Sequence, residues 1–127
     1  MGEDRAPLDV LLVDDEVSIR EMLRLMIELR VPGCQVVGEA ADGVEAIEKV
    51  AELMPEVVVM DYKMPRLNGA EATRQIKERF PQVRVLGYTS LPVSLVGLLR
   101  AAGASEAFTK DDVGRLIDAL GCPAETI

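Results

Sequence analysis

Several short apolar runs each give way to polar residues, and those residues form a set suited to handling a phosphoryl group. Asp14-Asp15-Glu16 follows Val10 to Val13, and Asp61 follows Val57 to Met60. Thr89-Ser90 comes just beyond Val83 to Leu86, and Lys110 just beyond Ala104 to Phe108. Aspartates offer only oxygen ligands, which favour a hard cation such as Mg²⁺ that keeps several waters and takes one or two carboxylates. A lysine supplies a compact positive charge suited to a phosphate. A threonine hydroxyl can donate to a phosphoryl oxygen. Read together, these residues offer a carboxylate nucleophile, metal ligands, a phosphate clamp and a hydroxyl sensor. The sequence contains 0 His, which excludes a His-based metal site or a Ser-His-Asp triad within the chain.

These groups act together only if the fold brings them together. The apolar runs Val10–Val13, Gln35–Gly38, Val57–Met60, Val83–Leu86 and Ala104–Phe108 read as five strands. Three are Val-rich with little polar alternation, as in a sheet covered on both faces. Between and after them, helical spacing recurs at Ile19, Met22, Leu23, Met26; at Ile47, Val50, Ala51, Met54; at Leu95, Leu98, Leu99, Ala102; and at Val113, Leu116, Ile117, Leu120. A weaker helix over about Ala70 to Phe80 has Ala72, Ile76 and Phe80 as its stripe. Asp42 and Glu45 have the spacing of a capping pair. Strict alternation of strand and helix predicts an α/β fold: a single doubly wound five-stranded parallel sheet of flavodoxin-like order 2-1-3-4-5 with five helices. In that order the first and third strands are neighbours, so their acidic ends converge where such sheets bind ligands. Converging carboxylates repel, and raised pKa values, a cation or both must relieve them.

The 127 residues suit one domain, expected over 8–120 with short tails at 1–7 and 121–127. A net charge of −8 repels a phosphate backbone, so no nucleic-acid binding by this chain is expected. Cys34 and Cys122 are read as reduced, inert thiols. No apolar run approaches membrane-spanning length and Met1 to Pro7 has no apolar signal core, which reads as a soluble, cytoplasmic protein with no membrane partner.

Val13-Asp14-Asp15-Glu16, Asp61-Tyr62-Lys63-Met64-Pro65 with Gly69, Thr89-Ser90 and Lys110 occur in order, each set closing an apolar strand. In this the chain resembles the receiver domain of two-component response regulators over nearly its whole length. The resemblance implies a signalling switch, not an enzyme in its own right, in which Asp61 takes a phosphoryl group from a phosphohistidine on a sensor histidine kinase or phosphotransfer protein. It implies that Asp15, Asp61 and the backbone carbonyl of Lys63 bind Mg²⁺ directly, Asp14 mostly through water, and that Thr89 and Lys110 contact the phosphoryl oxygens. The segment Val37 to Gly43 looks like the subgroup that precedes a helix-turn-helix domain, which implies a transcriptional output. The family usually has Tyr or Phe three residues before the lysine and often a cis Pro after it; here these positions are Ala107 and Asp111. The surface of the fourth helix, fifth strand and fifth helix is expected to carry the output, by self-association or partner contact, through Val93, Gly97 and Arg100.

Plainer readings stand beside these. Asp14 and Asp15 could serve only a helix N-terminus, Asp61 a turn, Thr89 its strand and Lys110 solvent. Glu16 and the Lys63 side chain are expected to face water, and Met22 and Met26 to be ordinary core. A flavodoxin-like carrier shares the fold order, but three acids after the first strand repel a flavin phosphate. A metal-dependent aspartyl phosphatase needs a cap, and no insertion is long enough to form one.

Overall fold

The computed structural model describes residues 7–121. The expected tails therefore lie outside the described residues except for Pro7 and Gly121, as does Cys122. The elements run β1 (Leu8–Val13), α1 (Val17–Arg30), β2 (Cys34–Ala40), α2 (Gly43–Leu53), β3 (Val57–Met60), α3 (Gly69–Arg79), β4 (Arg84–Thr89), a 3-10 turn (Val93–Leu95), α4 (Gly97–Ala101), β5 (Glu106–Thr109) and α5 (Val113–Gly121). The strands form one sheet in the order β2-β1-β3-β4-β5, with every pairing parallel. The expected fold is the one observed.

Side chains alternate across each strand, and both faces are covered. Val10, Leu12, Val57, Val59, Leu86, Tyr88 and Phe108 pack toward Leu23 and Ile27 of α1 and Leu116, Ile117 and Leu120 of α5. Leu11, Val13, Val58, Met60, Val83 and Val85 face Ala46 and Val50 of α2, Ala72 and Ile76 of α3, and Leu99 of α4. Two covered faces account for the unbroken Val-rich runs. Each such side chain contributes about 1.5–3 kcal/mol on burial.

Helix starts follow local chemistry. The Asp42 carboxylate accepts from Glu45 N at 2.8 Å, while Glu45 Oε1 accepts from Ala41 N at 2.8 Å. Asn68 caps α3 by accepting from Glu71 N at 2.9 Å. Together these two caps fix the direction in which the chain leaves the sheet edge.

Two expected stripes need correction. In α2 the inward residues are Gly43, Ala46 and Val50, with Ile47 and Leu53 packed beside them. Ala51 is exposed, and Met54 ends the helix in the left-handed region at φ 45. In the fourth helical segment only Leu99 of the expected stripe is fully buried, joined by Val96, whereas Leu95 and Leu98 are 44% and 45% exposed. The chain enters through Pro92 and a tight 3-10 turn before Gly97, which rotates the side chains relative to an α-helix begun at Val93. Val93 is 81% exposed, and Gly97 and Arg100 also face water.

Candidate functional site

The register of the central strands places the acids. Val13 pairs with Met60, so the next residues, Asp14 and Asp61, emerge side by side. Asp61 N donates to the Val13 carbonyl at 3.0 Å and Asp14 N to the Ala40 carbonyl at 3.1 Å. One carboxylate oxygen from each of Asp14, Asp15 and Asp61 lies within 4.8 Å of the others. Asp14 and Asp61 are buried, at 2% and 3% exposure, and Asp15 is open to solvent.

Lys110 arrives from β5, which pairs with β4 through Thr89 and Thr109. Its own N–H donates to the Thr89 carbonyl at 2.9 Å, and its carbonyl accepts from the Tyr88 hydroxyl at 3.3 Å. The ammonium lies 2.9 Å from Asp14 Oδ2, 3.5 Å from Asp61 Oδ2 and 3.6 Å from Glu16 Oε1. Asp14 Oδ1 accepts from Glu16 N at 2.9 Å, and Asp61 Oδ1 from Tyr62 N at 2.8 Å.

Burial, followed by the charge of Asp14, pushes the Asp61 carboxyl up to about 6, against Lys110, the Tyr62 amide and the Thr89 hydroxyl, which favour its charged form. Burial acts to lower the Lys110 pKa. The Asp14 hydrogen bond and the charges of Asp61, Asp14 and Glu16 outweigh it, so the ammonium is held above its usual range.

The cleft above these groups has a volume of ≈ 480 Å³ and is walled by Asp15, Glu16, Asp61, Lys63, Met64, Pro65, Ser90 and Lys110. Lys63 stands at its rim. Thr89 is fully buried below it, its Oγ1 accepting from Leu91 N at 3.4 Å. The structure thus gathers Asp14, Asp15, Asp61 and Lys110 around one point, with Lys63 beside it and Thr89 beneath. All peptide bonds of the described residues are trans, including the one after Lys110.

Gly69, quoted from sequence only as part of a motif, shapes this place: a Cβ there would lie 1.7 Å from the Asp61 carbonyl oxygen, so no larger residue fits the observed backbone. Other residues that shape it were not singled out from sequence. Arg20 donates to the Asp14 carbonyl and, through Nε, to Glu39 Oε1 at 2.7 Å. Arg66, in the left-handed region at φ 68, binds the Asp42 carboxylate at 3.0 Å, and Gly43 N donates to the Leu67 carbonyl at 3.1 Å. The loop after Asp61 is therefore fastened to the start of α2. A glycine eight residues after an aspartate was the one visible signal; the others are long-range pairings.

A parallel sheet of this order, with an acidic cluster and a lysine where strand order reverses, defines a doubly wound α/β domain whose switch point carries three carboxylates and an ammonium. The family model for the response regulator receiver domain matches residues 10–121, and the chain belongs to that family. Among similar curated proteins is a protein-glutamate methylesterase/protein-glutamine glutaminase of Pyrococcus horikoshii, 37% identical over 120 residues, covering 94% of this chain and 30% of the relative. One of the same name from Geobacter sulfurreducens is 38% identical over 109 residues, covering 86% of this chain and 27% of the relative. The chain thus spans less than a third of the length of these relatives. Similar solved structures include the response regulator domain of Thermotoga maritima CheB, at 34% identity and TM-score 0.79, covering 90% of this chain and 93% of that one. A two-component response regulator of the LuxR family from Aurantimonas sp. SI85-9A1 has 37% identity and TM-score 0.80, covering 91% of this chain and 85% of that one. Among the described residues, no helix is long and apolar enough to cross a membrane.

Proposed function

We propose that the domain over 8–120 is a phosphorylation-dependent switch whose phosphoacceptor is Asp61. The observation that carries this reading is the meeting of Asp14, Asp15 and Asp61 within 4.8 Å, with the Lys110 ammonium 3.5 Å from Asp61. A helix cap needs no such convergence from separate strands. The donor set is oxygen only, which fits Mg²⁺. Asp15, Asp61 and the Lys63 carbonyl would hold the cation directly and Asp14 through water. When bound, it supplies positive charge to the acidic cluster and to phosphoryl oxygens.

The remaining chemistry belongs to the chain. A carboxylate oxygen of Asp61 attacks the phosphorus of a phosphohistidine on a sensor kinase or phosphotransfer protein. The O–P bond forms as the P–N bond breaks, and its electron pair leaves on the imidazole nitrogen. Lys110 neutralises charge on the transferred oxygens, and the Thr89 hydroxyl turns toward them. The product is an acyl phosphate on Asp61. The chain itself turns over no external substrate on this reading; its output is a change in contacts with another domain or protein.

A transcriptional output, expected from the Val37–Gly43 segment, is not supported by the curated relatives described above, which are named as methylesterases. Self-association through the α4–β5–α5 surface remains an expectation, read from Val93, Gly97 and Arg100 on the outer face of the fourth helical segment. Labelling with a small phosphodonor in Mg²⁺ tests the central reading. Wild type should acquire a hydroxylamine-labile label and Asp61→Asn should not; retained labelling in that variant would move the nucleophile elsewhere.

A further inference from the structure

We propose that Arg20 is a positioning residue for the acidic cluster: by holding the Asp14 carbonyl while Glu39 orients its guanidinium, it sets the direction of the Asp15 carboxylate and hence the affinity of the cluster for a divalent cation. This rests on the reading of the cluster as a cation site.

Asp14 is fixed on three sides by its amide, bonded to Ala40, and by its two carboxylate oxygens, bonded to Glu16 N and Lys110. Asp15, by contrast, is exposed, and its carboxylate accepts no hydrogen bond among the described residues. Its direction depends on the backbone before it. The Asp14 carbonyl shares a rigid peptide plane with the Asp15 nitrogen and Cα. A group that grips that carbonyl therefore fixes the plane from which Asp15 departs. Arg20 is that group.

The grip is itself supported. The Arg20 side chain is only 13% exposed, so its guanidinium has little freedom. Glu39, the β2 residue paired with Leu12, accepts from Arg20 Nε at 2.7 Å and from Arg24 Nη2 at 2.8 Å. Arg20 and Arg24 lie one turn apart on α1, so the helix clasps the edge strand through one carboxylate. Those partners hold the Glu39 pKa below its usual range, although burial, the largest single influence, works the other way. Arg20 alone extends this clasp to the cluster, while Arg24 stops at Glu39 and Glu28. The fork of an arginine can serve both partners at once, and a single ammonium cannot serve them in the same geometry.

Charge and position predict opposite signs when Arg20 is removed. Loss of a positive charge beside a cation site, acting alone, tightens cation binding. Loss of an outer partner that orients a ligand weakens it, typically by about 10–100-fold. The experiment is calorimetric titration of wild type, Arg20→Gln and Arg24→Gln with Mg²⁺ alone, alongside thermal unfolding in EDTA. Wild type should bind Mg²⁺; Arg20→Gln should bind it about 10–100-fold more weakly. Arg24→Gln should lose thermal stability and keep its Mg²⁺ affinity. Unchanged or tighter binding in Arg20→Gln overturns the positioning role, as does an equal weakening in Arg24→Gln, which would assign the network to holding α1. If Arg20→Gln does not fold, Glu39→Gln takes its place: weaker Mg²⁺ binding supports the role, and unchanged binding overturns it. Wild type that does not bind Mg²⁺ removes the cation-site reading itself and the positioning role with it.

Discussion

Gly69 lies so close beneath Asp61 that a Cβ on it would sit 1.7 Å from the Asp61 carbonyl oxygen. Its N–H donates to the Tyr62 carbonyl at 2.8 Å, so the first residue of α3 closes the loop that leaves Asp61. Gly69→Ala forces either that loop or the start of α3 to move. The expected cost is about 2 kcal/mol or more in urea unfolding. Labelling of Asp61, measured where both proteins are folded, should fall as well. Undiminished labelling would mean that the loop can shift without disturbing the carboxylate.

In the absence of divalent cations, Asp61 should cost stability at neutral pH. Burial and the Asp14 charge hold its carboxyl up to about 6, above the roughly 3.9 of an unfolded aspartate. Between these values the folded state keeps a proton that the unfolded state releases. Stability therefore falls as pH rises through that window, and the penalty is complete above it. Asp61→Asn removes the titration. In EDTA it should raise unfolding stability by about 3 kcal/mol at neutral pH, and the gain should vanish near about pH 4. Urea midpoints for both proteins at the two pH values check this; equal midpoints at neutral pH would contradict it.

Lys110 should separate cation binding from phosphoryl transfer. Its ammonium sits 2.9 Å from Asp14 Oδ2 and 3.5 Å from Asp61 Oδ2, where it already neutralises the cluster. Lys110→Met removes a positive charge that competes with a bound cation, so Mg²⁺ affinity should hold or rise. On the proposed mechanism the phosphoryl oxygens would lose their clamp, and labelling should slow by about a hundredfold. Parallel Mg²⁺ titration and labelling time courses report both effects. Loss of Mg²⁺ binding would give Lys110 a purely structural task.

The order of the sheet and the convergence of the acids were legible because each acid closes an apolar run. Val10 to Val13 and Val57 to Met60 are buried on both faces, and a polar residue ending such a run must emerge at the sheet edge. Contacts between distant positions were not legible. Arg20 and Glu39 are 19 residues apart and meet only because α1 folds back over β2. The phase of α4 was misread for a different reason: its periodicity is real as sequence, but Pro92 and the 3-10 turn rotate it. Leu95 and Leu98 consequently face water, while Val96 turns inward.

Ala107 and Phe108 adjoin in sequence but face opposite sides of the sheet, and this decides how a signal can leave the site. Ala107 pairs with Gly87 and packs with Leu99 on the α4 side, whereas Phe108 lies in the core against α1 and α5, with Arg115 5.8 Å from its ring centroid. Phe108 cannot take the place of an aromatic at 107 without reversing the strand. The space beside Ala107 is filled instead by Leu99, whose Cδ1 would lie 2.7 Å from a Cβ on Gly87. Leu99 is the fully buried anchor of a helix only 5 residues long. A displacement of Thr89 toward a phosphoryl group, two residues past Gly87, should thus be felt first at the Leu99 methyls. Methyl NMR with Mg²⁺ and a stable phosphoryl mimic gives the test. Leu99 resonances should shift in wild type and in Phe108→Leu, and stay unmoved in Thr89→Ala, although that variant should still acquire the Asp61 label. Ala107→Tyr should crowd Leu99, cost about 1–3 kcal/mol and move the Leu99 resonances before any mimic is added. A shift abolished by Phe108→Leu would place the coupling on the α1–α5 side, and one preserved in Thr89→Ala would remove the threonine from it.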